Sequence, residues 1–208
     1  MSQNLTADKS SDNNELKPLY AYSIVNAFSS GTVSPFLSVY AVRLGASASE
    51  MGWFQSVSNL APNMMQMPWG KLSDKIGRRI PFILAGGLIT AALWIPLMFV
   101  TSATELIVII AVQAVLGSMA TPTLTALIGE LMHSSKRGMT TAAINRSAAI
   151  GSLFATFAAG YLMVAIKGTL QNMFFIPLLV AVICGVASSL VIILLDEKPH
   201  PNNASKGS

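Results

Sequence analysis

Charge is what this sequence has least of. Only 11% of its 208 residues are Asp, Glu, Lys or Arg, against roughly a quarter in soluble domains. So small a share argues against a fully solvated surface and makes lipid the expected solvent. Cysteine is almost absent. Cys184 stands alone inside an apolar run, so no internal disulfide can form. Histidine is equally scarce: His133 and His200 are isolated, too few to build a metal site or to activate a nucleophile. The chain has no Gly-x-Ser-x-Gly elbow and no aspartate pair within an apolar run, so neither catalysis nor a cofactor is expected.

What is there is apolar: 52% of residues are hydrophobic and the mean hydropathy is +0.58. A helix needs about 20 apolar residues to cross the hydrocarbon core. Six stretches qualify: 19–42, 51–69, 80–100, 106–129, 139–166 and 173–195. Residues 1–18, rich in Ser, Asn and Asp, read as a polar tail and not as the basic start of a signal peptide. Residues 197–208 read as a second polar tail, leaving 19–196 as one all-α membrane domain.

The net charge of +4 does not point to nucleic acid, because the basic residues sit in short gaps between apolar runs with no interleaved aromatics. Their distribution is lopsided instead. Lys9, Lys17, Lys71, Lys75, Arg78, Arg79, Lys136, Arg137, Lys198 and Lys206 fall on one side; Arg43 and Lys167 fall on the other, and Arg146 lies within the fifth stretch. The positive-inside rule then places both termini in the cytoplasm of a cell (plasma) membrane.

Polar residues within the spans are unevenly shared. The second span carries Gln55, Asn59, Asn63 and Gln66 at spacings that stack them on one helical face. The first offers Asn26, the fourth Gln113, and the fifth Asn145 and Arg146. Spans 3 and 6 have little beyond Thr90, Ser188 and Ser189 and are expected to face lipid. Spans 1 and 4 also share a glycine followed by Ser/Thr-Pro, at Gly31 with Ser34-Pro35 and at Gly117 with Thr121-Pro122. Such prolines break the backbone ladder in helices that line solute paths. Taken singly, an in-span amide or hydroxyl is an interhelical contact worth about 0.6 kcal/mol; four amides in register exceed what packing needs and point to a wet cavity. Arg146 either snorkels to headgroups or binds an anionic group in that cavity.

Between spans 2 and 3 runs Gly70-Lys71-Leu72-Ser73-Asp74-Lys75-Ile76-Gly77-Arg78-Arg79. It resembles the signature loop of the major facilitator superfamily, Gly-x-x-x-Asp-(Arg/Lys)-x-Gly-Arg-(Arg/Lys), in the position that family requires. Glu130, followed by Lys136-Arg137-Gly138, is similar to the family's second acid-then-Arg-Gly pattern. The resemblance implies the amino-terminal half of such a transporter, six helices arranged as a 3+3 inverted repeat. It also implies a conformational latch of Gly70, Asp74, Lys75, Gly77, Arg78, Arg79, Glu130, Arg137 and Gly138, in which Asp74, Arg78 and Glu130 form the charge cluster. Where many members carry an Arg in the fourth helix this chain has Gln113, and no carboxylate lies deep in a span, which argues against proton coupling.

The expected function is transmembrane movement of a small solute by alternating access, as a carrier or half-carrier. The alternative is a non-transporting subunit or a remnant that needs a partner half. The expected partners are the lipid bilayer, a small-molecule solute, and a second copy or a separate second-half chain.

Overall fold

The computed structural model describes residues 2–131, 137–166 and 170–194. Lys136, Lys167 and the tail 197–208 lie outside the described residues. Within them every regular element is helical.

Helix α1 (Ser2–Val33) passes through one 3-10 turn (Ser34–Phe36) into α2 (Leu37–Arg43). The segment expected as a polar tail is thus helical from Ser2, consistent with the absence of Gly and Pro before Pro18. The turn falls on Ser34-Pro35. Pro35 lacks the N–H that would bond the Gly31 carbonyl, and the Thr156 hydroxyl donates to that carbonyl at 2.9 Å instead.

Helix α3 spans Ala48–Ile76 and α4 spans Ile80–Leu97. The segment 70–76, expected as loop, forms the last turns of α3; nothing in Lys71-Leu72-Ser73-Asp74-Lys75 breaks a helix, so the reversal is confined to Gly77 and the two arginines. Helices α5 (Ala103–Gly117) and α6 (Ala120–Leu131) divide what reads in sequence as one span. Pro122 cannot donate to the Ser118 carbonyl, which accepts the Thr121 N–H at 3.3 Å instead. Helices α7 (Arg137–Ala165) and α8 (Leu170–Val191) complete the bundle.

Among the described residues four segments are long and apolar enough to cross a membrane: Ile80–Leu97, Ala103–Glu130, Arg137–Ala165 and Asn172–Val191. Helix α3, with its row of amides, is more polar than these.

Packing follows small residues. Helix α1 lies against α7 and α8, α3 against α5 and α6, and α4 against α8, α5 and α6. Gly31 meets the Ser152 backbone, and Gly151 meets the Ile24 carbonyl. Helices α4 and α8 expose apolar outer residues such as Leu88, Ile95, Ile183 and Leu190, as expected for lipid contact. They are not merely peripheral, however: Gly87 seats against Ser189 and Gly185 against Ala91, pairing the two helices closely.

The start of α3 is fixed by a capping box. The Ser47 hydroxyl accepts the Glu50 N–H at 3.3 Å, and the Glu50 carboxylate accepts the Ser47 N–H at 2.8 Å. The Thr104 hydroxyl at the start of α5 donates to the same carboxylate at 3.1 Å. The Ser47 N–H foremost, then the Ser47 and Thr104 hydroxyls, hold the Glu50 pKa below its ordinary value. A lowered folded-state pKa means that this cap is complete above the ordinary carboxylate range and lost as pH falls through the lowered value. Protection of the first α3 amides against hydrogen exchange is therefore expected to drop only as pH falls below the ordinary carboxylate range. Protection unchanged by pH, or by Glu50→Gln at neutral pH, would remove Glu50 from this role.

Candidate solute cleft and charge latch

Gly77 ends α3 in the left-handed region, φ +70°, with its N–H bonded to the Ser73 carbonyl at 3.0 Å. A side chain there costs about 1–2 kcal/mol. The reversal brings Arg79, the N-cap residue of α4, back over the end of α3. Its Nη1 pairs with Asp74 Oδ1 at 2.6 Å and donates to Ser73 Oγ at 3.1 Å. Its Nη2 and Nε reach Glu130 Oε1 on α6 at 2.8 and 3.1 Å. One guanidinium thus ties together the ends of α3, α4 and α6. Burial alone would lower the Arg79 pKa, but Glu130 and Asp74 outweigh it and the net shift is upward, so the charge persists at any working pH.

This arrangement corrects the expectation from sequence, which assigned the central cation to Arg78. Arg79 occupies that place and Arg78 is exposed at the apex of the turn. Gly70 has open space around it. An added Cβ there meets nothing within 4 Å, so it marks neither a turn nor a close approach within this chain. Lys75 is exposed, and Arg137 and Gly138 open α7.

The second feature is a cleft of about 580 Å³ between the α1–α2 break, α3, α4 and the α5–α6 break. Gln55, Ser58 and Asn59 line it from α3, Ser30 and Ser34 from α1 and its break, Thr90 and Trp94 from α4, and Gln113, Ser118 and Thr121 from α5 and α6. Among the described residues no ionisable side chain lines it. A smaller pocket of about 130 Å³, lined by Tyr22, Asn26 and Gly86, shares Ser30, Thr90, Trp94, Gly117 and Thr121 with it. Both helix breaks therefore sit on the cleft wall, where freed backbone groups are compatible with a wet interior.

The family model described as Major Facilitator Superfamily matches residues 19–208. The chain belongs to the major facilitator superfamily. Among similar proteins are the multidrug resistance protein MdtG of Proteus mirabilis, 29% identical over 161 residues, which are 75% of this chain and 39% of that protein, and the multi-drug resistance efflux pump PmrA of Streptococcus pneumoniae, 26% identical over 134 residues, 62% of this chain and 33% of that protein. An uncharacterized MFS-type transporter of Methanocaldococcus jannaschii is 26% identical over 155 residues, 74% of this chain and 40% of that protein. The chain thus spans between a third and two fifths of the relatives it matches. Membership and the apolar helices together make it an integral membrane protein.

Within this superfamily chain, the cavity residues read from sequence divide into three groups. Gln55, Asn59 and Gln113 line the cleft, and Asn26 lines the smaller pocket. Asn63 and Gln66 continue the α3 stripe without reaching either. Asn145 and Arg146 are exposed on α7, away from both. The amides of α3 form a chain along the helix: Asn59 Nδ2 donates to the Gln55 carbonyl at 2.8 Å, Asn63 Nδ2 to the Asn59 carbonyl at 2.8 Å, and Gln66 Nε2 to Asn63 Oδ1 at 3.2 Å. Trp94 and Ser58 are cleft residues that sequence reasoning missed. A tryptophan in an apolar run carries no periodic signal, and the third span was expected to face away.

Proposed function

We propose that this chain forms a six-helix unit of a carrier that moves a small solute across the plasma membrane by alternating access, with both termini in the cytoplasm. In this reading the crossing units are α1–α2, α3, α4, α5–α6, α7 and α8, arranged as two inverted triplets. The pairing pattern supports the repeat. When the triplets exchange, α1 on α7 corresponds to α5–α6 on α3, α1 on α8 corresponds to α5–α6 on α4, and α4 on α8 maps onto itself. The broken helix is the first member of each triplet, and both breaks face the cleft, a recurrent design in carriers. Two relatives bear multidrug-resistance names, one of them as an efflux pump, which favours a small organic cargo.

The observation that carries the reading is the exposed amide stripe of α3: Gln55, Asn59, Asn63 and Gln66 all lie on the surface of the unit. The bonds along the helix use only part of the amides' hydrogen-bonding capacity, and the donors and acceptors left over would each cost several kcal/mol if they faced hydrocarbon. A second six-helix unit covers that face and closes the cleft into a central solute path. A non-transporting subunit docking the same face is the second reading, favoured by the same stripe.

Flux separates the two. In proteoliposomes the chain with its second unit is expected to move at least one of a set of neutral, anionic and cationic dyes. Asp74→Asn is expected to slow that flux about tenfold while membrane insertion stays normal. No flux for any dye, in vesicles where the stripe is demonstrably covered, favours the docking subunit. Unchanged flux in Asp74→Asn removes the latch from the transport cycle.

A further inference from the structure

Two polar groups on the cleft wall are left without partners. The indole N–H of Trp94, a residue only 3% exposed, meets no acceptor among the described residues, and neither does the buried hydroxyl of Ser58. Elsewhere among the described residues such groups are mostly satisfied, the buried Ser23 hydroxyl being the exception. The Trp69 indole donates to the Val115 carbonyl at 2.9 Å. The hydroxyls of Ser30, Thr32, Thr123 and Ser147 each turn back on the carbonyl four residues earlier. Ser58 has the same option in the Phe54 carbonyl and does not take it. A buried donor left unpaired is destabilising, so two of them on the α3 and α4 walls of one cleft mark a place where an acceptor from outside the chain belongs.

Charge narrows the ligand. Among the described residues the cleft wall contains serines, threonines, the three amides Gln55, Asn59 and Gln113, and apolar side chains, with no ionisable group. An ion placed there would surrender its hydration to a wall that offers no countercharge. From these observations we infer that the cleft binds an uncharged solute carrying a hydrogen-bond acceptor, which takes the Trp94 N–H from α4 and the Ser58 hydroxyl from α3. The inference rests on the cleft being the solute's seat, as proposed above, and adds the chemical class of that solute.

Benzophenone is a suitable probe, because one aryl ketone scaffold supplies the carbonyl acceptor and a photocrosslinking centre. It also exists as an anionic benzoylbenzoate and as a trimethylammonium derivative. With the full chain in proteoliposomes, label on cleft residues such as Leu37 and Ile110 is measured by mass spectrometry relative to label on exposed α7 residues such as Phe157. Neutral benzophenone is expected to label the cleft saturably, with the charged forms at least tenfold weaker. Trp94→Phe and Ser58→Ala should each raise the half-saturating concentration about fivefold, the worth of one hydrogen bond.

Equal labelling by all three probes overturns the charge preference while leaving the cleft as a solute site. Labelling insensitive to both substitutions, as when water satisfies these donors, overturns the assigned contacts. If no probe labels the cleft saturably, the solute-site reading fails and the inference fails with it. Ser58→Ala is a mild change at a helical position, so a folding defect in Trp94→Phe alone does not spoil the test.

Discussion

Gly31→Ala is expected to destabilise the protein by about 1–2 kcal/mol, seen as a lower unfolding midpoint in detergent, although alanine is the better helix former. Two effects oppose each other. Alanine gains roughly 0.5–1 kcal/mol over glycine in a helix. Against that, a Cβ on Gly31 would lie 2.8 Å from both Cα and the carbonyl oxygen of Ser152. Those are backbone atoms and cannot swing aside, so α1 must retreat from α7, and overpacking of this kind costs about 1–3 kcal/mol. The retreat also lengthens the bond from the Thr156 hydroxyl to the Gly31 carbonyl, now 2.9 Å, which satisfies the group that Pro35 leaves free. Overlap therefore wins.

The same substitution at Gly70, where an added Cβ meets nothing within 4 Å, should stabilise the isolated chain by about 0.5–1 kcal/mol. Two glycine-to-alanine changes of opposite sign in one protein form the test. If Gly31→Ala matches Gly70→Ala, the close approach of α1 to α7 is wrong.

Arg79→Ala is expected to have the largest effect on the basic end of the bundle, and Arg78→Ala almost none. Arg79 holds Asp74, Ser73 and Glu130 at once, with its side chain only 12% exposed. Removing it leaves two carboxylates without their shared cation and unties α3 from α6. The Asp74 carboxylate is 64% exposed, so that leg contributes little. Glu130, at 33%, is the stronger leg, and the whole is worth about 1–2 kcal/mol. Spin labels at Ile76 and Thr125, both exposed, should report a narrow distance distribution in the unaltered protein. The distribution should broaden in Arg79→Ala and remain narrow in Arg78→Ala. Flux in the complete carrier is expected to fall about tenfold in the first and to change less than twofold in the second. Broadening in Arg78→Ala instead would restore the assignment made from the motif.

Much of the architecture could be read along the chain because its cause is local. Apolar runs separated by basic gaps become membrane helices through composition alone, and the prolines at 35 and 122 mark breaks because a missing N–H acts on the carbonyl one turn away. The capping box at Ser47 and Glu50 and the reversal at Gly77 are equally local. The row Gln55, Asn59, Asn63 and Gln66 follows from helical spacing, and the structure keeps it on one exposed stripe.

Which polar residue meets which cavity was a different matter. Gln55, Asn59 and Gln113 reach the cleft while Asn63, Gln66, Asn145 and Arg146 do not, because that depends on how α3 and α7 are placed around α1 and α5. The choice of Arg79 over Arg78 turns on where the end of α6 lies in space, some fifty residues later in the chain. Trp94 became a cleft residue only when α4 packed beside α5. Hydropathy, helix breaks and turns depend on neighbours a few residues apart, and the sequence by itself determined them. Cleft membership and the latch cation depend on contacts between distant segments, which only the tertiary structure decided.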